Sequence, residues 1–230
     1  MPNNQRGFSF VELAVALFIM ALLLGSILVP LGTQVEQRQN AEALRILEEA
    51  RDALLGHAIA YGRLPCPDTN GDGVENISAG VCATSLGVAH GTLPWQTLGL
   101  AASDAWGNRI RYAVHGDYAR STTYFSLGTN TSNLQVCGTA ATCASALTST
   151  AVAVLISHGK NGWGATNVSA GTTYANPTSN DEIENTNTDS NFVSRIPTPA
   201  DSTAGEFDDV VIWLPRYTLF NRMVTAGKLP

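Results

Sequence analysis

The chain has 230 residues, of which 14% are charged and 44% hydrophobic, and its formal net charge is −6. No cluster of Lys or Arg occurs, so the concentrated positive charge that phosphate contacts require is missing and nucleic acid is not an expected partner. The charge fraction is well under the usual quarter, and Ser, Thr, Asn and Gly fill its place, as in many exported β-rich domains.

The first seven residues hold one charge, Arg6, and the 24 residues 8–31 that follow form an apolar run whose one ionisable side chain is Glu12. At about 1.5 Å per residue such a helix is roughly 36 Å long, enough to cross a hydrocarbon core of about 30 Å. A carboxylate at the bilayer centre costs about 2.5–3.5 kcal/mol, so Glu12 marks a function and calls for a partner. A secretory signal would place a small-residue cleavage site after the run. Here Leu28-Val29-Pro30-Leu31-Gly32 leads into a charged helix, and the processing-like feature, Gly7-Phe8, comes first.

Arg6-Gly7-Phe8-Ser9-Phe10-Val11-Glu12-Leu13 resembles the leader junction of type IV prepilins and type II secretion pseudopilins. The resemblance implies cleavage after Gly7 by a prepilin peptidase and N-methylation of the new terminus at Phe8. It also implies pairing of Glu12 with the terminal amine of a neighbouring subunit. The expected setting is the bacterial inner membrane, crossed once, with the C-terminal domain outside the cytoplasm. Assembly would involve homologous subunits and an inner-membrane platform with its own ATPase.

Residues 33–61 read as a second helical stretch, with Leu44, Leu47, Leu54, Ala58 and Tyr61 near one face. Arg38–Glu42, Arg45–Glu49 and Glu48–Arg51 have helical ion-pair spacing. Gly62 and Pro65 give a stop, and Pro30 is expected to kink the helix or mark the membrane exit. The expected layout is a leader at 1–7, a transmembrane helix at 8–31, an amphipathic extension at 32–62 and a globular domain at 63–230.

Cys66, Cys82, Cys137 and Cys143 lie after the span, in a compartment where disulfides persist. Four cysteines allow three connectivities, of which the loop-local Cys66–Cys82 and Cys137–Cys143 are the simplest. Zinc is the alternative, but no C-x-x-C and no His at ligand spacing supports it. Between the first two cysteines, Asp68-Thr69-Asn70-Gly71-Asp72-Gly73 matches the opening of a calcium loop, with oxygens on Asp68, Asn70 and Asp72. Ala79 stands where the bidentate glutamate belongs, leaving Glu75 or Asn76 as further ligands. The other reading is an Asx/Gly turn.

Strands are expected at 109–114, 121–127, 151–156 and 210–214, and a terminal helix at 215–226. The polar stretch 159–205 is long for a structureless loop. Asp104-Ala105-Trp106-Gly107-Asn108-Arg109-Ile110-Arg111-Tyr112 looks like the Asp-Pro-Trp-Gly-Asn segment of the major pseudopilin, with Ala105 in place of proline. Ser157-His158-Gly159-Lys160-Asn161-Gly162, with Asp208-Asp209-Val210 and Trp213, is similar to its C-terminal pattern, though the intervening loop is much longer here. Major pseudopilins hold calcium between these segments, which implies a second site from Asp181, Glu182, Asp208 and Asp209. No nucleophile elbow, zinc-protease motif or P-loop occurs, so no enzyme is expected.

The fold expected is α+β, a long N-terminal helix packed on a small antiparallel sheet. The expected function is a structural subunit of a type II secretion pseudopilus or type IV pilus. The alternative is a minor tip pilin or adhesin that binds a surface, DNA or a secreted substrate through its long C-terminal loop.

Overall fold

The computed structural model describes residues 9–131 and 134–229, leaving aside the side chains of 25–31, 33, 142, 144 and 145. The chain divides after Ala41 into two compact units.

In the first unit, helix α1 (Phe10–Tyr61) begins on a reciprocal cap. Ser9 N donates to Glu12 Oε2 at 2.9 Å, and Glu12 N donates to Ser9 Oγ at 3.3 Å. Two of the donors orphaned at a helix start are thereby satisfied. Every side chain of 10–24 is exposed, so this part is greasy all round, and the helix runs on through Pro30. Among the described residues no helix is long and apolar enough to cross a membrane, since 10–24 spans only about 22 Å at 1.5 Å per residue. The predicted 8–31 span reaches beyond this stretch. Its first residue, Phe8, and the leader 1–7 with Gly7 lie outside the described residues.

The second unit begins with the carboxyl part of α1. Ala43, Leu47, Ala50, Leu54 and Ala58 are fully buried at helical spacing. Leu44 and Tyr61, expected on this face, are exposed instead. The stripe turns on alanines, whose small side chains let the helix approach the sheet. Arg45 pairs with both Glu42 and Glu49 on the outer face. Gly62, at φ +75°, closes the helix in the left-handed conformation that glycine adopts without strain.

The sheet is larger than expected and is mixed. After a two-stranded ribbon, β1 (Ile77–Ser78) and β2 (Val81–Cys82), come β3 (Val88–Thr92), the short helix α2 (Trp95–Leu98), β4 (Arg111–His115) and helix α3 (Gly116–Ala119). Then follow β5 (Leu134–Cys137), a 3₁₀ turn (Ala140–Ser145), β6 (Ala146–Ser157), α4 (Asn180–Thr186), β7 (Asn191–Val193), β8 (Val210–Pro215) and α5 (Arg216–Thr225). Six strands join in the order β3-β4-β6-β5-β7, with β8 also on β6. All pairs are antiparallel except β5–β7. Segment 121–127 is not a strand; its alternation survives only as Phe125, buried against Phe220 and Tyr118.

Strand β6 is the spine. Residues 151–157 are all buried, as a strand covered on both faces requires. A register shift between Ala151 and Ala153 breaks the alternation. Val152, Ala153 and Leu155 thus join Tyr112, Ile212 and Leu214 in the core under α1. Ala151, Val154 and Ile156 join Val136 and Phe192 in the core on the opposite face. Stretch 159–205 is therefore not a free loop: it holds α4 and β7, and Phe192 enters the second core. The cysteines pair locally, Cys66–Cys82 and Cys137–Cys143, with Cα separations of 5.5 and 5.1 Å.

Candidate functional site

The antiparallel register Ser157↔Val210 sets the residues leaving β6 beside those entering β8. That pairing brings His158-Gly159-Lys160-Asn161 against Asp208-Asp209. Gly159 has φ +56°, and a Cβ there would lie 2.4 Å from Asp208 O, so the approach requires glycine. Helix α4 adds Glu182. Carboxylate oxygens of Glu182, Asp208 and Asp209 all lie within 4.8 Å of one another. Glu182 and Asp209 are only 2% and 5% exposed.

Asp208 Oδ2 accepts from Asn161 N at 2.8 Å, while buried Asp208 Oδ1 has no hydrogen-bond partner among the described residues. Glu182 Oε1 accepts from Asn161 Nδ2 and Asp208 N, and Asp209 Oδ2 accepts from Asn185 Nδ2 at 2.8 Å. His158 Nδ1 stands 3.2 Å from Asp209 Oδ1. Burial, then the charge of Asp209, raises the Glu182 carboxyl to about 7. Burial chiefly raises Asp208 to about 6. Three crowded carboxylates with an orphaned oxygen form a donor set suited to one hard cation. Asp181, the fourth predicted residue, is turned elsewhere: its Oδ2 accepts from Arg195 Nε at 2.6 Å and its Oδ1 from Ala140 N at 2.8 Å.

The Asp68 loop is closed on itself. Asp68 is 1% exposed; its Oδ1 accepts from Asn70 N and Gly71 N, and its Oδ2 from Gly73 N at 2.8 Å. Asn70 turns its amide donor towards Asp72 Oδ2 at 3.0 Å. Both further candidate ligands are engaged. Glu75 forms a two-point ion pair with Arg63 at 2.6 and 2.7 Å, and Asn76 Oδ1 accepts from Thr69 N. Arg109 Nη2 donates to Gly71 O at 2.8 Å, placing a positive charge beside the loop. This is the arrangement of the Asx turn.

At the other end of the chain, Glu12 stands in the first turn of α1, exposed and capped to Ser9. Residues 2–28 match the family model described as the prokaryotic N-terminal methylation motif. That N-terminal stretch is type IV prepilin-like. The match stops short of segments 104–112 and 157–162, so the resemblance to the major pseudopilin there gains no support from it. No curated protein and no solved structure matches the chain.

The Ser9 cap was present in the sequence as the S-x-x-E signature of a helix start. Asn161 lies in the segment 157–162 already singled out. Asn185 and Arg195, which hold the cluster and its neighbour in place, carry no sequence signal of their own.

Proposed function

We propose that this chain is a non-enzymatic structural subunit, held in a membrane before assembly and polymerised through its N-terminal helix into a pilus or pseudopilus. The match of residues 2–28 to the methylation motif carries the reading. The exposed apolar helix behind Glu12 supports it, because that surface needs either lipid or neighbouring subunits. Prepilin peptidase would cut after Gly7 and the terminus would be methylated at Phe8. The shaft is favoured over the tip because stretch 159–205 contributes to the second core instead of standing free. Calcium at Glu182, Asp208 and Asp209 would tie stretch 159–205 to the start of β8, with oxygen ligands only.

Glu12 has two roles to separate. Its Oε2 is used by the cap, leaving Oε1 for the amine of a neighbour. Ser9→Ala removes the hydroxyl half of the cap, worth about 1 kcal/mol, and keeps the carboxylate. Glu12→Gln keeps a capping oxygen and removes the charge. Ser9→Ala is expected to assemble near normal yield and Glu12→Gln poorly, in sheared-filament assays with membrane insertion unchanged. Loss in Ser9→Ala with normal yield in Glu12→Gln would make Glu12 a capping residue only. Mass spectrometry of the wild type should find a methylated terminus at Phe8; an intact Met1 would remove the prepilin reading.

A further inference from the structure

Strand β8 has one edge unused. It pairs with β6 and with no other strand among the described residues. Proline has no N–H, so Ala151↔Pro215 is not a hydrogen-bonded pair. The two-residue alternation of an antiparallel strand then turns the N–H and C=O of Trp213 and Val211 away from β6. Among the described residues no backbone hydrogen bond from another element reaches either residue. Such groups need a partner, from water or from another chain.

A groove of about 600 Å³ opens beside this edge. Val211 and Trp213, whose side chains share one face of β8, line it, and so does Ile212 from the other face. A space that touches both faces of one strand lies against its edge. Leu55 of α1 adds to the apolar floor. The rim carries Arg51 and Arg222 and a single carboxylate, Asp52, which leaves it net positive. Arg222 is exposed and Arg51 partly so. The Glu48–Arg51 pair expected from spacing does not form, and neither arginine side chain has an ion-pair partner among the described residues. The six residues of β8 include no charged side chain to discourage an added strand.

We propose that the β8 edge binds an extended acidic segment of another polypeptide as an added strand. Main-chain hydrogen bonds to Val211 and Trp213 hold the segment, its apolar side chains cover Trp213 and Leu55, and its carboxylates meet Arg51 and Arg222. The β8 edge of a second copy is the poorer occupant, because it brings two more arginines to the same rim. This surface is separate from the acidic cluster, and it needs neither filament assembly nor calcium.

The test is fluorescence anisotropy with the full chain in detergent at pH 7 and a labelled heptapeptide of alternating valine and glutamate. One control peptide carries lysine in place of glutamate. The other is the glutamate peptide N-methylated at every amide, which cannot add to a strand edge. Saturable binding is expected for the glutamate peptide, binding about fivefold weaker for the lysine peptide, and none for the N-methylated one. Arg222→Glu should weaken the glutamate peptide about fivefold or more, as reversal of an exposed rim charge does. A thermal midpoint measured on the same sample shows whether the variant is folded. If it is not, Arg51→Gln takes its place, with weaker binding again expected. The proposal is overturned if the glutamate peptide shows no saturable binding, if either control binds as tightly, or if the folded variant binds as the wild type does. A dimer in sedimentation that the glutamate peptide dissociates would also overturn it, by giving the edge to a second copy.

Discussion

Neutralising Glu182 should stabilise the protein at high pH and not at low pH. Its carboxyl stands at about 7 in the fold against an ordinary 4.5. A folded pKa above the unfolded value means that the native state holds the proton more tightly. The contribution is therefore fully present below about pH 4.5 and is lost as pH rises through 7. At 1.36 kcal/mol per pH unit the loss is about 3 kcal/mol by pH 8. For a folded unit of this size that is roughly 5–10 °C in Tm. His57, His90 and His115 act with the opposite sign, because burial lowers each of them and stability gained from them grows as pH rises towards 6.5. Comparing Glu182→Gln with the wild type cancels that background.

The assay is thermal unfolding followed by tryptophan fluorescence, at pH 5 and pH 8, with chelator and with calcium. In chelator the variant should nearly match the wild type at pH 5 and exceed it by several degrees at pH 8. Calcium should restore the wild type at pH 8, by about 2.7 kcal/mol at a hundredfold excess over Kd, and leave Glu182→Gln little changed. A wild-type-to-variant difference that is the same at both pH values would refute the crowding argument. A calcium shift that persists in Glu182→Gln would place the cation elsewhere.

Arg63→Ala should destabilise the protein by about 3–5 kcal/mol, because it strands the Glu75 carboxylate in a site where the two side chains are only 11% and 14% exposed; chemical denaturation measures it, and a loss under 1 kcal/mol would mean that Glu75 is reached by water. Leu54→Ala, at a fully buried position between α1 and the sheet, should cost about 2–5 kcal/mol by the same measurement.

The parts of the fold legible in the sequence are those with strong hydrophobic patterns. Strands β4, β6 and β8 and the inward stripe of α1 follow from apolar runs, and the cysteine pairing from short separations. Leu44 and Tyr61 fall off the stripe, because alanines, Ala43 and Ala50, take part in it and give little pattern. Strand β3 reads Val88-Ala89-His90-Gly91-Thr92 and β7 only Asn191-Phe192-Val193. Both exist through pairing with partners distant in sequence, which no local propensity records. Three of the four residues named for the second acidic site do converge, because a strand register joins segments some fifty residues apart. Asp181 does not, because Arg195 claims it.

The two parts of α1 pose different energetic problems. Residues 43–58 bury their apolar stripe within their own unit. Over residues 10–24 nothing in the described chain covers the apolar side chains: Leu17, Phe18, Ile19, Met20, Leu22, Leu23 and Leu24 are 50–65% exposed. Covering a side chain of this kind is worth about 1.5–3 kcal/mol, so this surface demands an apolar environment of some kind. Lipid supplies that as well as a neighbouring helix does, and moving the surface from lipid to protein gains little hydrophobic free energy. Selectivity for assembly must therefore come from contacts that lipid cannot make. Glu12 is the one ionisable group on that surface, its cap uses one carboxylate oxygen, and in the proposed function the other would meet a neighbour's amine. That is why the charge, and not the helix cap, is the feature on which filament formation should turn.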